Sequence, residues 1–248
     1  MISCSNNQAG VPDISIKDPA LLKSKNIFNP YPSIALIPLP PGFTRLKTDS
    51  NSFAQWLLSI PLKKDKTVYL YNGGLKRNQA AQFAVLDIST GIKDLQQCAD
   101  AVMRLRTEYL FATQQFDKIV FYDNEHKAYS FEAPYGKEHL HHYLQTVFSR
   151  CGTASLTKQL HSVSINNIQP GDVLIRGGFP GHAVLVMDVA ADAAGNKIFM
   201  IAQSYMPAQD IHVLVNEYGS NSPWYHLPQG NRIETPEYVF EVGELKRW

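Results

Sequence analysis

The stretch from Pro170 to Ser204 constrains the fold more than any other. Pro170-Gly171-Asp172 is a turn signature, and Val173-Leu174-Ile175 after it is an apolar strand. Arg176 to Pro180 then forms a loop carrying Gly177 and Gly178, and Gly181-His182 opens a second apolar strand, Ala183 to Asp188. Turn residues at Asp192 to Asn196 precede a third strand, Lys197 to Ser204, whose late polar residue is Gln203. A histidine leading one strand and a carboxamide late on the next can lie side by side on a sheet. That arrangement orients an imidazole as a general base.

A base needs a nucleophile to act on, and the candidate is Cys98. Asp94 to Phe111 repeats apolar residues at helical spacing, and Asp94 with Gln97 reads as a capping box. The spacing predicts a helix over 94–111 with Cys98 in its first turn. There, unpaired N–H groups and the helix dipole favour thiolate and can hold an oxyanion. Cys98 also lies on the apolar stripe, so a buried structural cysteine is the competing reading. For His182 the alternative is a satisfied core histidine, and for Gln203 a strand-end residue facing water. Asp188 shares strand parity with His182 but lies about 20 Å along, too far to orient it.

The Pro-Gly-Asp-Val turn, the short loop, Gly181-His182 and the strand after it resemble the histidine half of the NlpC-type and CHAP-type papain-like cysteine peptidases and amidases. Gln97-Cys98 opening a helix resembles the cysteine half, and together the likeness spans roughly residues 94–205. It implies a catalytic set of Cys98, His182 and Gln203. It also implies an α+β, papain-like fold with an antiparallel, partly barrelled sheet packed on a central helix. The substrate it implies is a peptide or amide bond of cell-wall peptidoglycan, cleaved by a thiol hydrolase. Two features depart from the pattern. Gln97-Cys98-Ala99 stands where NlpC-type enzymes usually show Asp-Cys-Ser, and the long interval from Cys98 to His182 implies an insertion. A non-catalytic envelope protein that binds peptide or glycan in the same cleft is therefore the rival. The stretches Asp94 to Leu110, Gly177 to Val186 and Ala202 to Gln209 also resemble a family of uncharacterised lipoproteins from gut Bacteroides-type bacteria, which brings no activity of its own.

Composition narrows the partners. At 248 residues, 44% hydrophobic and 18% charged, the chain suits one globular domain over 34–248, preceded by a polar, proline-punctuated tether or arm over 1–33. A formal net charge of +1 and the lack of a basic run with interleaved aromatics argue against nucleic acid as a partner. No window reaches the roughly 18 apolar residues of a spanning helix. Three cysteines, Cys4, Cys98 and Cys151, do not make a disulfide scaffold. Ile2-Ser3-Cys4 resembles the end of a bacterial lipoprotein signal, so Cys4 is expected to carry lipid. Membrane contact would then run only through that anchor, in the periplasm or at the outer membrane; a frayed cytosolic terminus with an incidental cysteine is the alternative.

Gln97, Gly181, Ser204, Tyr205 and Trp224 are the candidate substrate contacts. Gly181 lets other backbone come close, and the Ser204 to Gln209 loop would wall the cleft. Trp224 and Tyr225 either line a groove or pack in the core. His139, His141 and His142 lack matching partners at ligand spacing and read as a solvated face, so neither metal nor cofactor is expected. Elsewhere the patterns predict an edge strand at 33–39, a helix at 52–60, strands at 67–71 and 83–88, and a hairpin over 118–131. Helices at 137–148 and 155–161, a strand at 211–215 and a last strand at 238–242 closing the sheet complete the reading.

Overall fold

The computed structural model describes residues 27–216 and 222–248, so Cys4 and most of the expected arm lie outside the described residues. In chain order the strands are β1 (Thr44–Arg45), β2 (Gln82–Val85), β3 (Val120–Tyr122), β4 (Ala128–Ser130), β5 (His161–Ser162), β6 (Val173–Arg176) and β7 (His182–Ala191). They continue as β8 (Lys197–Gln203), β9 (His212–Leu214), β10 (Tyr225–His226), β11 (Arg232–Glu234), β12 (Val239–Glu241) and β13 (Leu245–Arg247). The helices are α1 (Phe53–Ser59), α2 (Cys98–Ala112), α3 (Lys137–Arg150) and α4 (Thr153–Gln159). The fold is α+β. Nine strands form one antiparallel sheet in the order β2-β9-β8-β7-β6-β13-β5, with β1 also pairing β7 and β10 also pairing β8. The expected partial barrel is not closed, because β2 and β5 stand at opposite ends of this path.

The apolar run around His182 makes sense once both faces of β7 are seen to be covered. Ala183, Leu185 and Met187 turn toward the helices, while Val184, Val186 and Val189 turn toward Phe199, Tyr225 and Phe240. A bulge between Val186 and Asp188 adds one residue to β7, so the faces exchange partway along the strand. A strand buried on both sides reads as continuous rather than alternating. α2 packs on β7 through Val102, Met103 and Leu105, all buried. Each such side chain contributes about 1.5–3 kcal/mol relative to exposure.

Several boundaries differ from expectation, each for a local reason. α2 begins at Cys98 rather than Asp94, because Gln97 is the N-cap and its backbone N–H donates to Asp100 Oδ2 at 3.0 Å. The Asp94 carboxylate instead accepts from Gln97 Nε2 (3.1 Å) and from the Ala208 N–H (2.7 Å), tying the 204–209 loop to the mouth of α2. The segment expected as an edge strand at 33–39 turns as a short 3₁₀ helix, Ile34–Leu36, which buries Ile34. The 67–71 segment makes isolated bridges, Tyr69 to Leu75 and Leu70 to Gln209, instead of a strand. The 238–242 segment does not close the sheet: β12 pairs only with β11 in a separate hairpin. β13 takes that place between β6 and β5, held by Arg247 Nε and Nη2 donating to the buried Asp172 at 2.6 and 2.9 Å. No helix among the described residues is long and apolar enough to cross a membrane.

Candidate active site

Cys98 is the first residue of α2, and His182 is the first residue of β7, the strand on which α2 packs. The half-buried thiol meets the backbone N–H groups of Ala99 and Ala183, so its sulfur reaches the strand one residue past the histidine. The thiol and the backbone at the start of β7, far apart in the chain, are thereby brought together. The Cys98 thiol and the His182 ring do not form a hydrogen bond with each other.

The ring of His182 is 2% exposed and makes one hydrogen bond, from Nε2 to Gln203 Oε1 at 2.8 Å. A carbonyl oxygen only accepts, so Nε2 carries the proton and Nδ1 presents its lone pair. Among the described residues Nδ1 has no hydrogen-bond partner. Tyr205, Tyr238 and Phe240 pack around the imidazole at centroid distances of 4.6, 5.0 and 5.8 Å. These three rings shield much of the imidazole and restrict its plane.

Electrostatics run against the expected thiolate. Burial pushes the Cys98 thiol up to about 11, and the Asp100 carboxyl adds to the rise, while N–H groups of Ala99 and Ala183 only partly oppose it. The helix N-terminus acts in the predicted direction, but desolvation is larger. Burial likewise pushes His182 down to about 4, against the hydrogen bond to Gln203. At neutral pH the resting pair is therefore a thiol and a neutral imidazole, not an ion pair.

The other candidate contacts separate into near and far. Tyr205 belongs to the site, its ring tilted against that of His182 at 4.6 Å and its hydroxyl near enough to feel a charge on Cys98. Gly181 is held so closely that a Cβ would lie 2.4 Å from both Gly178 O and Thr153 Oγ1. Its role is to let the loop before His182 lie on α4. Gln97 caps α2 and Ser204 is fully buried, its single O–H shared between the carbonyls of Gln96 and Gln209, each 2.9 Å from Oγ, so it braces the loop instead of facing a cleft. Trp224 is buried in the core with its Nε1 donating to Pro38 O, and the neighbouring Tyr225 pairs with Phe199, four residues back along β8 from Gln203. The expected Trp224 groove therefore lies away from His182. Exposed apolar side chains, Phe179 and Met206, stand on the loops that lead into His182 and out of Gln203. A cavity of about 660 Å³ lies on another flank of α2, between it and α3, and is lined by Leu95, Phe111, Leu140, Leu144 and Phe148, not by Cys98 or His182. His139 and His141 are occupied locally, by Pro134 O and Gln145.

Three residues behind Gln203 escape a reading of the sequence. Gln203 Nε2 donates to Glu237 Oε2 at 2.6 Å and lies 3.4 Å from His212 Nε2, and Glu237 Oε1 pairs with Lys76 Nζ at 2.8 Å. They come from three separate segments, and only His212, a polar residue inside an apolar strand, signals itself in the sequence.

A family model described as "Domain of unknown function (4846)" matches residues 35–135 and 123–247. No curated protein and no solved structure matches the chain.

Proposed function

Because the chain belongs to the family described as a domain of unknown function (4846), whose name carries no chemistry, we propose a function from the site alone: a papain-like thiol hydrolase of peptide or amide bonds, acting through Cys98, His182 and Gln203. The observation that carries this reading is the 2.8 Å contact between His182 Nε2 and Gln203 Oε1, from which the His182 tautomer follows. Nε2–H is spent on Gln203, and Nδ1 is left as an acceptor beside the strand position that meets the Cys98 sulfur. As substrate binds, Nδ1 takes the thiol proton while sulfur bonds to the carbonyl carbon, and the oxyanion gathers at the N–H groups opening α2. The proton then passes to the leaving nitrogen as the C–N bond breaks. Water, deprotonated by His182 Nδ1, then bonds to the thioester carbon; the C–S bond breaks, the acid leaves, and Nδ1 returns the proton to sulfur. Thiol and ring must close to hydrogen-bond distance in that complex, as catalytic pairs often do only when substrate is present.

The likeness to cell-wall amidases points to peptidoglycan peptides as the substrate class, in the periplasm or at the outer membrane. Incubating the protein with peptidoglycan fragments and following new amines by mass spectrometry tests this. The reading expects cleavage that falls by about 100-fold or more in Cys98→Ala and His182→Ala. Turnover by Cys98→Ala equal to that of the unaltered protein, or no cleavage by either, contradicts it. Burial favours the rival, a non-catalytic envelope protein that binds peptide or glycan there: it pushes Cys98 up and His182 down, which leaves the pair unactivated at rest. That reading expects Cys98→Ala to bind the same fragments as tightly as the unaltered protein, with no amine released by either. Lipid on Cys4 belongs to both readings, and an intact mass without a diacylglycerol adduct on membrane-fraction protein would remove it.

A further inference from the structure

We propose that Glu237 and His212 are positioning residues that hold the Gln203 carboxamide in one orientation and so decide which nitrogen of His182 carries the proton. A glutamine side chain can turn about its last bond and offer either oxygen or NH2 to a neighbour. Oxygen toward His182 Nε2 leaves Nδ1 as a base; NH2 toward it would force the proton onto Nδ1 and remove the base. Something must choose between the two.

Two acceptors make the choice together, the shorter contact to Glu237 being the deciding one. Glu237 Oε2 lies 2.6 Å from Gln203 Nε2, and a carboxylate can only accept. Turning the carboxamide would press oxygen against oxygen at that distance. His212 stands opposite Gln203 across the β8–β9 pairing, with Nδ1 lying 2.9 Å from the Asp210 carbonyl. That carbonyl accepts, so the His212 proton sits on Nδ1 and Nε2 offers a lone pair to the Gln203 NH2 at 3.4 Å. The ring is fully buried, and burial together with Lys76 pushes it down to about 3, so it stays neutral in this role. Lys76, 5% exposed, fixes Glu237 from the far side by an ion pair with Oε1 at 2.8 Å while also donating to Asn78 O at 2.7 Å.

A directed chain results: Asp210 carbonyl, His212, Gln203, His182. Its members alternate donor and acceptor so that the last free position is the His182 Nδ1 lone pair. The β11–β12 hairpin, which stands apart from the main sheet, acquires a purpose here. Its turn supplies Glu237, and the next residue, Tyr238, packs on the imidazole. The significance for catalysis rests on the hydrolase reading; the assignment of tautomers does not.

Long-range ¹H–¹⁵N spectra of protein labelled at histidine test it without any substrate. The proposal expects protonated Nε2 and bare Nδ1 at His182, with the reverse at His212. In Glu237→Gln, where the new carboxamide can donate or accept and no longer opposes a turned Gln203, His182 is expected to show a measurable fraction protonated at Nδ1. His182 protonated at Nδ1 in the unaltered protein overturns the proposal even if the variant does not fold. An unchanged His182 tautomer in a folded Glu237→Gln protein overturns it as well. If the spectra agree but no amide is cleaved, the hydrolase reading fails and this one stands.

Discussion

Asp100 and Cys98 share the first turn of α2, and the charge of one opposes the charge of the other. Burial raises the Asp100 carboxyl to about 8 despite the hydrogen bond from the Gln97 N–H, and its Oδ1 is buried with no partner. Because the folded value lies above the ordinary carboxyl value of 3.8, the stability tied to this proton is complete below 3.8 and is lost as pH rises to about 8. His182 and His212 have the opposite sign. Their folded values, about 4 and about 3, lie below 6.5, so their contribution is complete above 6.5 and is lost as pH falls toward those values. The two histidines oppose the buried carboxyls Asp100 and Asp188, both raised by burial, on the acid side, and above 6.5 the Asp100 carboxyl dominates until the thiols titrate. Thermal stability is therefore expected to peak at pH about 6–7 and to decline toward pH 9. Asp100→Asn should flatten the decline between pH 7 and 8 and speed Cys98 alkylation at pH 9. Calorimetry across that range, with the alkylation rate beside it, checks both. A decline that persists in Asp100→Asn would sink the assignment.

At the scale of elements, the loop between β6 and β7 is set by α4. A methyl group at position 181 would strike Gly178 O and Thr153 Oγ1 at 2.4 Å and Arg176 O at 2.9 Å, and two of these are backbone oxygens that cannot swing away. Gly181→Ala should cost about 1–3 kcal/mol in a urea melt and should slow trapping of Cys98 even at temperatures where the variant is folded, because His182 is the next residue. Gly243 is the matched control, since a methyl group there meets open space, and its change should stay within about 0.5 kcal/mol. The elements differ in how far the sequence revealed them. β6, β7 and β8 were legible because apolar runs end in strong turn signals at 170–172, 177–181 and 192–196. β13 was not, because Leu245-Lys246-Arg247 is too short to show alternation and its place is fixed by Asp172, more than seventy residues away. Tyr238 to Val242 read correctly as extended, but nothing local tells a sheet partner from a hairpin partner.

Taken whole, the molecule brings the N-terminus of a helix to the first residue of a doubly covered strand. It then backs the histidine there with a glutamine from the next strand and a glutamate from a separate hairpin. Cys98, His182 and Gln203 stood out as candidates in the sequence, whereas Lys76 and Glu237 carry no local signal and His212 shows only as a polar residue in an apolar strand, since tertiary packing alone joins their segments. Burial also reversed the charge state expected at Cys98, an effect of the whole fold that no local spacing encodes. A thiol held neutral at rest should react when a bound substrate aligns it with its base. The most direct measurement is intact-mass analysis of the rate at which a peptidyl electrophile modifies Cys98 in folded protein near pH 7. The account predicts a single adduct on Cys98 that forms about 100-fold or more slowly in His182→Ala. Equal rates in the two proteins, or an adduct that appears only after denaturation, would contradict it.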